Sequence, residues 1–236
     1  MSRYSISAQD PRFTAVVGWD NPLATFFAQI FDPSIEDDDE AADVIIAESR
    51  RLERLVGDLL DLTKLEARQM SINMRPTDAA EVVGTTAEGF RPAAAKSGLQ
   101  ILTELPDFGS DAPVAADPDR LAQLLANLIE NAIMFARTTV RVTVTDGVGA
   151  CVVTVDDDGP GLAAGDLVRV FDRFYRADRG PNRGIGSGLG LAIVAELAAA
   201  MGGTVQAESP ISQDGGSRFV LTLRRWPQPA PEPVLA

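Results

Sequence analysis

The sequence predicts an α+β fold: one long amphipathic helix followed by an α/β sandwich with helices on one face of a sheet. Three observations lead there. Apolar residues recur at helical spacing from Asp37 to about Ala67. Strand-like and helix-like stretches mix after Met70, with neighbouring strands late in the chain. The 236 residues, 45% hydrophobic and 23% charged, are enough for one substantial domain plus a smaller one.

Residues 1–35 hold no clear period, and Gly18, Pro22 and Pro33 break them into short pieces. In the helix that follows, Ile45, Leu52, Leu55, Leu59 and Leu62 form a stripe broadened by Val56, Leu60 and Leu65, with charged residues on the other side. So long a stripe seeks long partners, which favours self-association over packing within its own domain. SINM (71–74) is short and strand-like. Thr77 or Asp78 caps a helix to about Ala95, and LQILTEL (99–105) alternates as a strand. After VAA, Asp117 as N-cap and Pro118 at the first helical position start a helix to about Ala136. Residues 138–147 and 150–159 read as two adjacent strands joined by a Gly-containing turn. A polar, Gly-rich stretch covers 158–188. A helix from Leu189 to Met201 then precedes strands at 204–209 and 218–225, and WPQPAPEPVLA reads as a disordered tail.

The net charge of −13 argues against a nucleic-acid partner held by phosphate contacts and against an anionic membrane surface. Cys151 is the single cysteine and sits in the apolar run CVVTV, as a buried strand residue would. No apolar run has the length of a membrane-spanning helix and no signal-peptide layout opens the chain, so the expected location is cytoplasmic. The sequence contains no histidine, the commonest general base and metal ligand.

Four stretches carry chemistry. In NLIENA, Asn127 and Asn131 lie four apart on one helix, so both amides point the same way, toward a hydrated Mg²⁺ and phosphate oxygens or toward structural partners. DDDGPGL (156–162) ends a strand, where a carboxylate can accept from an exocyclic amine while glycines let backbone approach a flat ring; an ordinary Asp/Gly turn has the same composition. VFDRFYR (170–176) offers Phe171, Phe174 and Tyr175 to pack a segment down, with Arg173 and Arg176 to reach phosphates, or it is a surface helix with an aromatic inner face. In GIGSGLGLAIV (184–194), glycines precede a helix whose first N–H groups form an anion site. This loop does not follow a strand directly, so a dinucleotide-binding fingerprint fails.

In this order the four resemble the sensor histidine kinases. NLIENA looks like their N box, DDDGPG their first glycine box, VFDRFYR their F box and GSGLGLAIV their second glycine box. GGSRFVLTL (215–223) is similar to their closing strand, and ESRRLERLVGDLLDLTKLEA (48–67) resembles the second helix of their dimerisation domain. The resemblance covers roughly residues 40–226. It implies a mixed sheet of about five strands under three helices, shared with gyrase and mismatch-repair ATPases, and a flexible lid over bound ATP. By the same resemblance Asp157 takes the adenine amine, and Asn127 and Asn131 hold Mg²⁺ and the phosphates. Gly159 and Gly161 shape the adenine pocket. Gly186, Gly188, Leu189 and Gly190 cradle phosphates, and Phe171, Arg173, Arg176 and Arg183 belong to the lid side. In ATP-hydrolysing relatives a water-activating Glu takes the place of Asn127. Met134 stands where the family often has Lys or Arg, removing one expected phosphate contact.

GWDNPLATFF (18–27) lies where the resemblance places the acceptor helix. Trp19 falls loosely at the acceptor histidine and Asp20 at the acid that follows it, with two residues missing before Pro22. The segment is either a degenerate acceptor helix or unrelated sequence joined to the second helix. The gap disrupts helical phase and WDNPL favours a turn, which supports the second reading. Phe26, Phe27 and Phe31 cover the helix stripe or bind a partner.

The expected organisation is a divergent segment at 1–36, a dimerisation helix at 37–69, a histidine-kinase-like ATP-binding domain at 70–226 and a tail at 227–236. The activity implied is transfer of the γ-phosphoryl of ATP to a histidine for relay to a response regulator. Because this sequence has no histidine, it cannot phosphorylate itself there and would act in trans, as a homodimer through 37–69, on a His-bearing partner kinase. A pseudokinase serving as an ATP-sensing interaction module is the alternative.

Overall fold

The computed structural model describes residues 2–7, 14–20, 25–31, 49, 57, 71–106, 113–147, 149–175 and 188–227. The chain divides into two compact units, Met1–Leu60 and Asp61–Ala236.

The first unit contains an antiparallel sheet of β1 (Ser2–Ser7), β2 (Thr14–Asp20) and β3 (Thr25–Phe31), in that order. Trp19 pairs with Ser2 on one side and Phe26 on the other. Trp19 and Asp20 therefore lie on extended backbone rather than on a helix. The strands escaped the sequence reading because their strand formers come in pairs, Val16–Val17, Phe26–Phe27 and Ile30–Phe31, which masks a period of two. The helix expected at 37–69 lies outside the described residues except at Ser49 and Gly57, both helical and exposed. The tail beyond Pro227 also lies outside them.

The second unit runs β4 (Arg75–Thr77), α1 (Ala79–Lys96), β5 (Gln100–Glu104), β6 (Val114–Ala116), α2 (Pro118–Phe135), β7 (Thr139–Gly147), β8 (Ala150–Asp157), α3 (Gly190–Ala200), β9 (Thr204–Glu208) and β10 (Ser217–Arg224). A 3₁₀ turn at Arg169–Phe171 lies between β8 and α3. The main sheet has five strands in the order β5-β7-β8-β10-β9. β5 and β7 are parallel and the other pairs antiparallel, so the sheet is mixed, as expected.

Alternation assigns the two faces. Val140, Val142 and Val144 on β7, Cys151, Val153 and Val155 on β8, and Phe219, Leu221 and Leu223 on β10 are buried against the helices. α2 supplies the centre of that core with Leu121, Leu124, Leu125, Leu128, Ile129 and Ala132. On the other face, cross-strand register aligns Leu102, Arg141, Asp156, Arg218 and Glu208 in one row. Arg218 grips Asp156 there through two bonds of 2.8 and 2.7 Å.

The first small strand is displaced from the sequence reading. Residues 71–74 are irregular, and pairing begins at Arg75, where β4 meets β6 in a two-stranded ladder. Pro76 is tolerated because so short a pair asks little of its missing N–H. Asp78, not Thr77, caps α1, receiving the N–H groups of Ala80 and Glu81. The Thr77 hydroxyl instead bonds the carbonyls of Arg75 and Ala116.

Asp117 does two jobs at once. Its Oδ1 caps α2 by accepting from Asp119 and Arg120 at 3.1 and 3.3 Å, while Oδ2 accepts from the Asn73 N–H at 2.8 Å. Asp117→Ala removes the cap and the cross-link together. The expected loss is about 2 kcal/mol of unfolding free energy in urea titration, at the upper end of single-cap values. Leu128→Ala, in the centre of the same helix, is expected to cost about 2–5 kcal/mol.

Candidate functional site

The strand β8 delivers Asp157 to its C-terminal end with the side chain on the helix-facing side, where it is 3% exposed. Its Oδ1 accepts the Gly159 N–H at 2.8 Å, and Ser217, directly across on β10, donates through both its N–H and its hydroxyl. Burial pushes this carboxyl up to about 6 despite those donors, and the neighbouring negative Asp158 adds to the rise.

The turn after Asp157 is built by main chain packed on main chain. A side chain at Gly159 would strike the Phe135 carbonyl at the end of α2, and one at Gly161 (φ +77°) would come within 2.6 Å of Ser209 Oγ. Ser209 accepts from the Leu162 N–H and donates to the Gly216 carbonyl, both at 2.8 Å. The Gly216 N–H closes on the Gly159 carbonyl at 2.9 Å.

Asp158 points the other way. It accepts the N–H groups of Arg137, Thr138 and Thr139 at 2.7–3.2 Å, and the Thr138 hydroxyl. Burial pushes its carboxyl upward, but the bonds from Thr138 and its neighbours outweigh that and hold it at about 2.

Asn127 and Asn131 sit one turn apart on α2, half-buried, and among the described residues neither side chain has a hydrogen-bond partner. Asn127 faces the beginning of α3: its Oδ1 would lie 3.5 Å from a Cβ at Gly190. Leu189 is the buried N-cap residue of α3, and its apolar side chain makes no capping bond. The first turn of α3, the positive end of its dipole, therefore lies beside a half-buried amide side chain.

Of the three aromatics expected to pack the segment down, Phe171 and Tyr175 lie against the core and Phe174 does not. Phe171 meets Phe219 edge-to-face at 6.2 Å, and Tyr175 donates to Asp166 at 2.6 Å with Arg169 stacked over its ring. Phe174, expected to pack down, is 67% exposed. Its N–H is committed to the Gly188 carbonyl at 2.8 Å and its φ is +59°, which turns the side chain outward. Arg173 reaches Glu196 on α3 at 3.5 Å. Arg176, Arg183 and Gly186 lie outside the described residues.

The fold thus brings Gly159 to the end of α2, Asn127 to Gly190, and Gly188 to Phe174. Sequence reasoning passed over Asp158, Ser209 and Ser217. Ser217 was visible as the residue after Gly215–Gly216; the other two had no signal, because their partners lie 20 and 47 positions away.

Residues 116–227 match the family described as histidine kinase-, DNA gyrase B-, and HSP90-like ATPase. The chain carries an ATPase domain of this family. The domain is of the sensor-histidine-kinase type. The chain is 37% identical over 202 residues to Sensor protein ChvG of Rhizobium meliloti, spanning 79% of this chain and 34% of that protein. It is 35% identical over 201 residues to signal transduction histidine-protein kinase AfsQ2 of Streptomyces coelicolor, spanning 84% and 35%. The chain thus spans about a third of the length of these relatives. Among solved structures, full-length ShkA in complex with AMPPNP is 30% identical with a TM-score of 0.68, over 84% of this chain and 41% of that one. The mycobacterial sensor histidine kinase MprB is 25% identical with a TM-score of 0.54, over 66% of this chain and all of that one. Among the described residues, no helix of the ATPase domain or elsewhere is long and apolar enough to cross a membrane, and no His, Cys, Asp and Glu cluster could hold a metal.

The raised Asp157 has a measurable signature without any ligand. Its native carboxyl holds a proton between about pH 4 and 6 that the unfolded chain releases, so its contribution to stability falls as pH rises through that window. Asp158 acts oppositely and lower: its stabilisation is present above the unfolded value and is lost as pH falls toward 2. Asp157→Asn is therefore expected to gain on the wild type by at most about 3 kcal/mol between pH 4 and 7 in thermal or urea unfolding. A constant difference across that range would refute the assignment.

Proposed function

We propose that this chain binds ATP with Mg²⁺ and transfers the γ-phosphoryl group to a histidine on a partner, for relay to a response regulator. The observation that carries the reading is a pair of half-buried amides one turn apart, Asn127 and Asn131, neither with a side-chain hydrogen-bond partner among the described residues, the first of them facing the start of α3 at Gly190. That arrangement suits a charged, oxygen-rich ligand and little else.

The roles follow from the chemistry of each group. The Asp157 carboxylate accepts from the adenine amine, and the bare turn at Gly159 and Gly161 lets backbone lie against the ring. Asn127 and Asn131 offer amide oxygens to Mg²⁺ and phosphate oxygens, while the N–H groups from Gly188 to Gly190 receive the phosphates. Held by those amides, Mg²⁺ would supply charge neutralisation for the phosphoryl group. Phe171 anchors the segment on the lid side through Phe219, and Arg173 lies close enough to α3 to share that side. An amide at Asn127 cannot activate water, which favours transfer to a side chain over hydrolysis. In transfer, an imidazole nitrogen of the partner bonds to the γ-phosphorus, the bond to the bridging oxygen breaks, and ADP leaves. Positioning and charge neutralisation supply most of that catalysis.

Residues 37–69, whose sequence resembles a dimerisation helix, are the element that joins two copies in this reading. The absence of histidine from the sequence favours a second reading, a nucleotide-sensing module without phosphotransfer.

Incubation with γ-labelled ATP and Mg²⁺, alone and with a histidine-bearing dimerisation domain, separates the two. Acid-labile, base-stable label on the added domain is expected. ATP binding with no label anywhere would establish the second reading. Asn131→Ala is expected to weaken ATP binding at least tenfold in calorimetry, with unfolding free energy changed by less than about 1 kcal/mol, since the amide makes no internal bond to lose.

A further inference from the structure

Asn131 and Asp157 belong to different elements, α2 and β8, and their relative position decides whether one ligand can reach both. Four features converge on that junction. The chain leaves α2 at Phe135 and enters β7 at Thr139, and the three N–H groups of the connection, from Arg137, Thr138 and Thr139, all end on the carboxylate of Asp158. The Thr138 hydroxyl ends there too. Asp158 directly follows Asp157, and Gly159 lies so close under the Phe135 carbonyl that no Cβ fits between them. The Arg137 guanidinium extends the junction by donating to the Asp214 carbonyl at 3.2 Å, in the loop that covers the glycine turn.

We propose that Asp158 is a positioning residue for nucleotide binding, fixing the amides of α2 relative to the carboxylate at the end of β8. The inference rests on the ATP-binding reading above. A neutral hydrophobic residue at 158 would leave three main-chain donors seeking water and would free the end of α2 to shift against the turn. Even a displacement of about 1 Å is enough to spoil a bound geometry. Asp158 acts on Asp157 in a second way, because its charge opposes ionisation of its neighbour. The other groups against Asp157, the N–H of Gly159 and the N–H and hydroxyl of Ser217, do not titrate. Asp156 and Arg218 pair on the opposite face of the sheet. Removing the 158 charge while keeping its shape therefore lowers the pH at which Asp157 ionises.

The test measures the affinity of the full chain for Mg²⁺-ATP by calorimetry from pH 5 to 8, for the wild type, Asp158→Ala and Asp158→Asn, with thermal unfolding in parallel. Wild-type affinity is expected to rise through about pH 6 as Asp157 ionises. Asp158→Ala is expected to weaken binding at pH 7.5 about tenfold or more, the usual effect of losing hydrogen bonds to a charged group. Asp158→Asn keeps an acceptor oxygen toward the three N–H groups. It is expected to bind within about threefold of the wild type at pH 7.5, with the rise in affinity moved to lower pH. Wild-type affinity in Asp158→Ala would overturn the proposal, as would losses in both variants that follow their melting temperatures with the pH profile unmoved. If Asp158→Ala does not fold, the pH profile of Asp158→Asn and the affinity of Thr138→Val decide by the same criteria. A wild type that does not bind ATP would instead overturn the underlying reading, and the two failures are thereby distinct.

Discussion

Keeping a carboxylate inside a protein raises the free energy of its charged form, and the ATPase domain is arranged around offsetting that cost at Asp157. Two donors come from Ser217, which stands opposite only because β8 and β10 pair in register along eight residues. A third comes from Gly159, whose position depends on a turn too tight for any side chain. The strand register is in turn held by the alternating core of Val153, Val155, Phe219 and Leu221 under α2. A slip of one residue would move Asp157 to the opposite face, where Asp156 now sits in its pair with Arg218. The chemistry at the strand end and the packing beneath it are thus one constraint.

Much of this was legible in the sequence. Asp117–Pro118 announced α2 to within a residue, since an N-cap acid and a first-turn proline are local signals that tertiary context rarely overrides. The β7–β8 hairpin and the α3 start were equally local. The stretches NLIENA and DDDGPGL were legible because their motifs survive in order, and the structure brings Gly159 of the second against Phe135, at the end of the helix that carries the first. Less legible was anything that depended on partners far along the chain. The duty of Asp117 toward Asn73 spans 44 positions, and the outward turn of Phe174 depends on Gly188. Phe174 reads as core by composition, and only the backbone hydrogen bond at positive φ explains why it is not.

The N-terminal unit shows the complementary failure. Neither a helical period nor a strict alternation fits its paired strand formers separated by Gly18. Three strands in simple antiparallel order need no long-range signal to form, only short connections. Such a unit is easy to overlook when, as here, paired strand formers hide the alternation that would declare each strand.

The glycine turn beside Asp157 has a consequence for pharmacology. Gly159, Gly161, Gly215 and Gly216 meet one another and their neighbours mainly through backbone atoms, and a Cβ at any of them would come within 3 Å of another atom. A compound resting on this corner and on the Asp157 carboxylate would touch a surface with few tolerated substitutions. On the proposed ATP-binding reading, escape by mutation there would pass through variants that disrupt nucleotide binding, so acquired resistance would be expected to arise at more distant, side-chain-lined positions first.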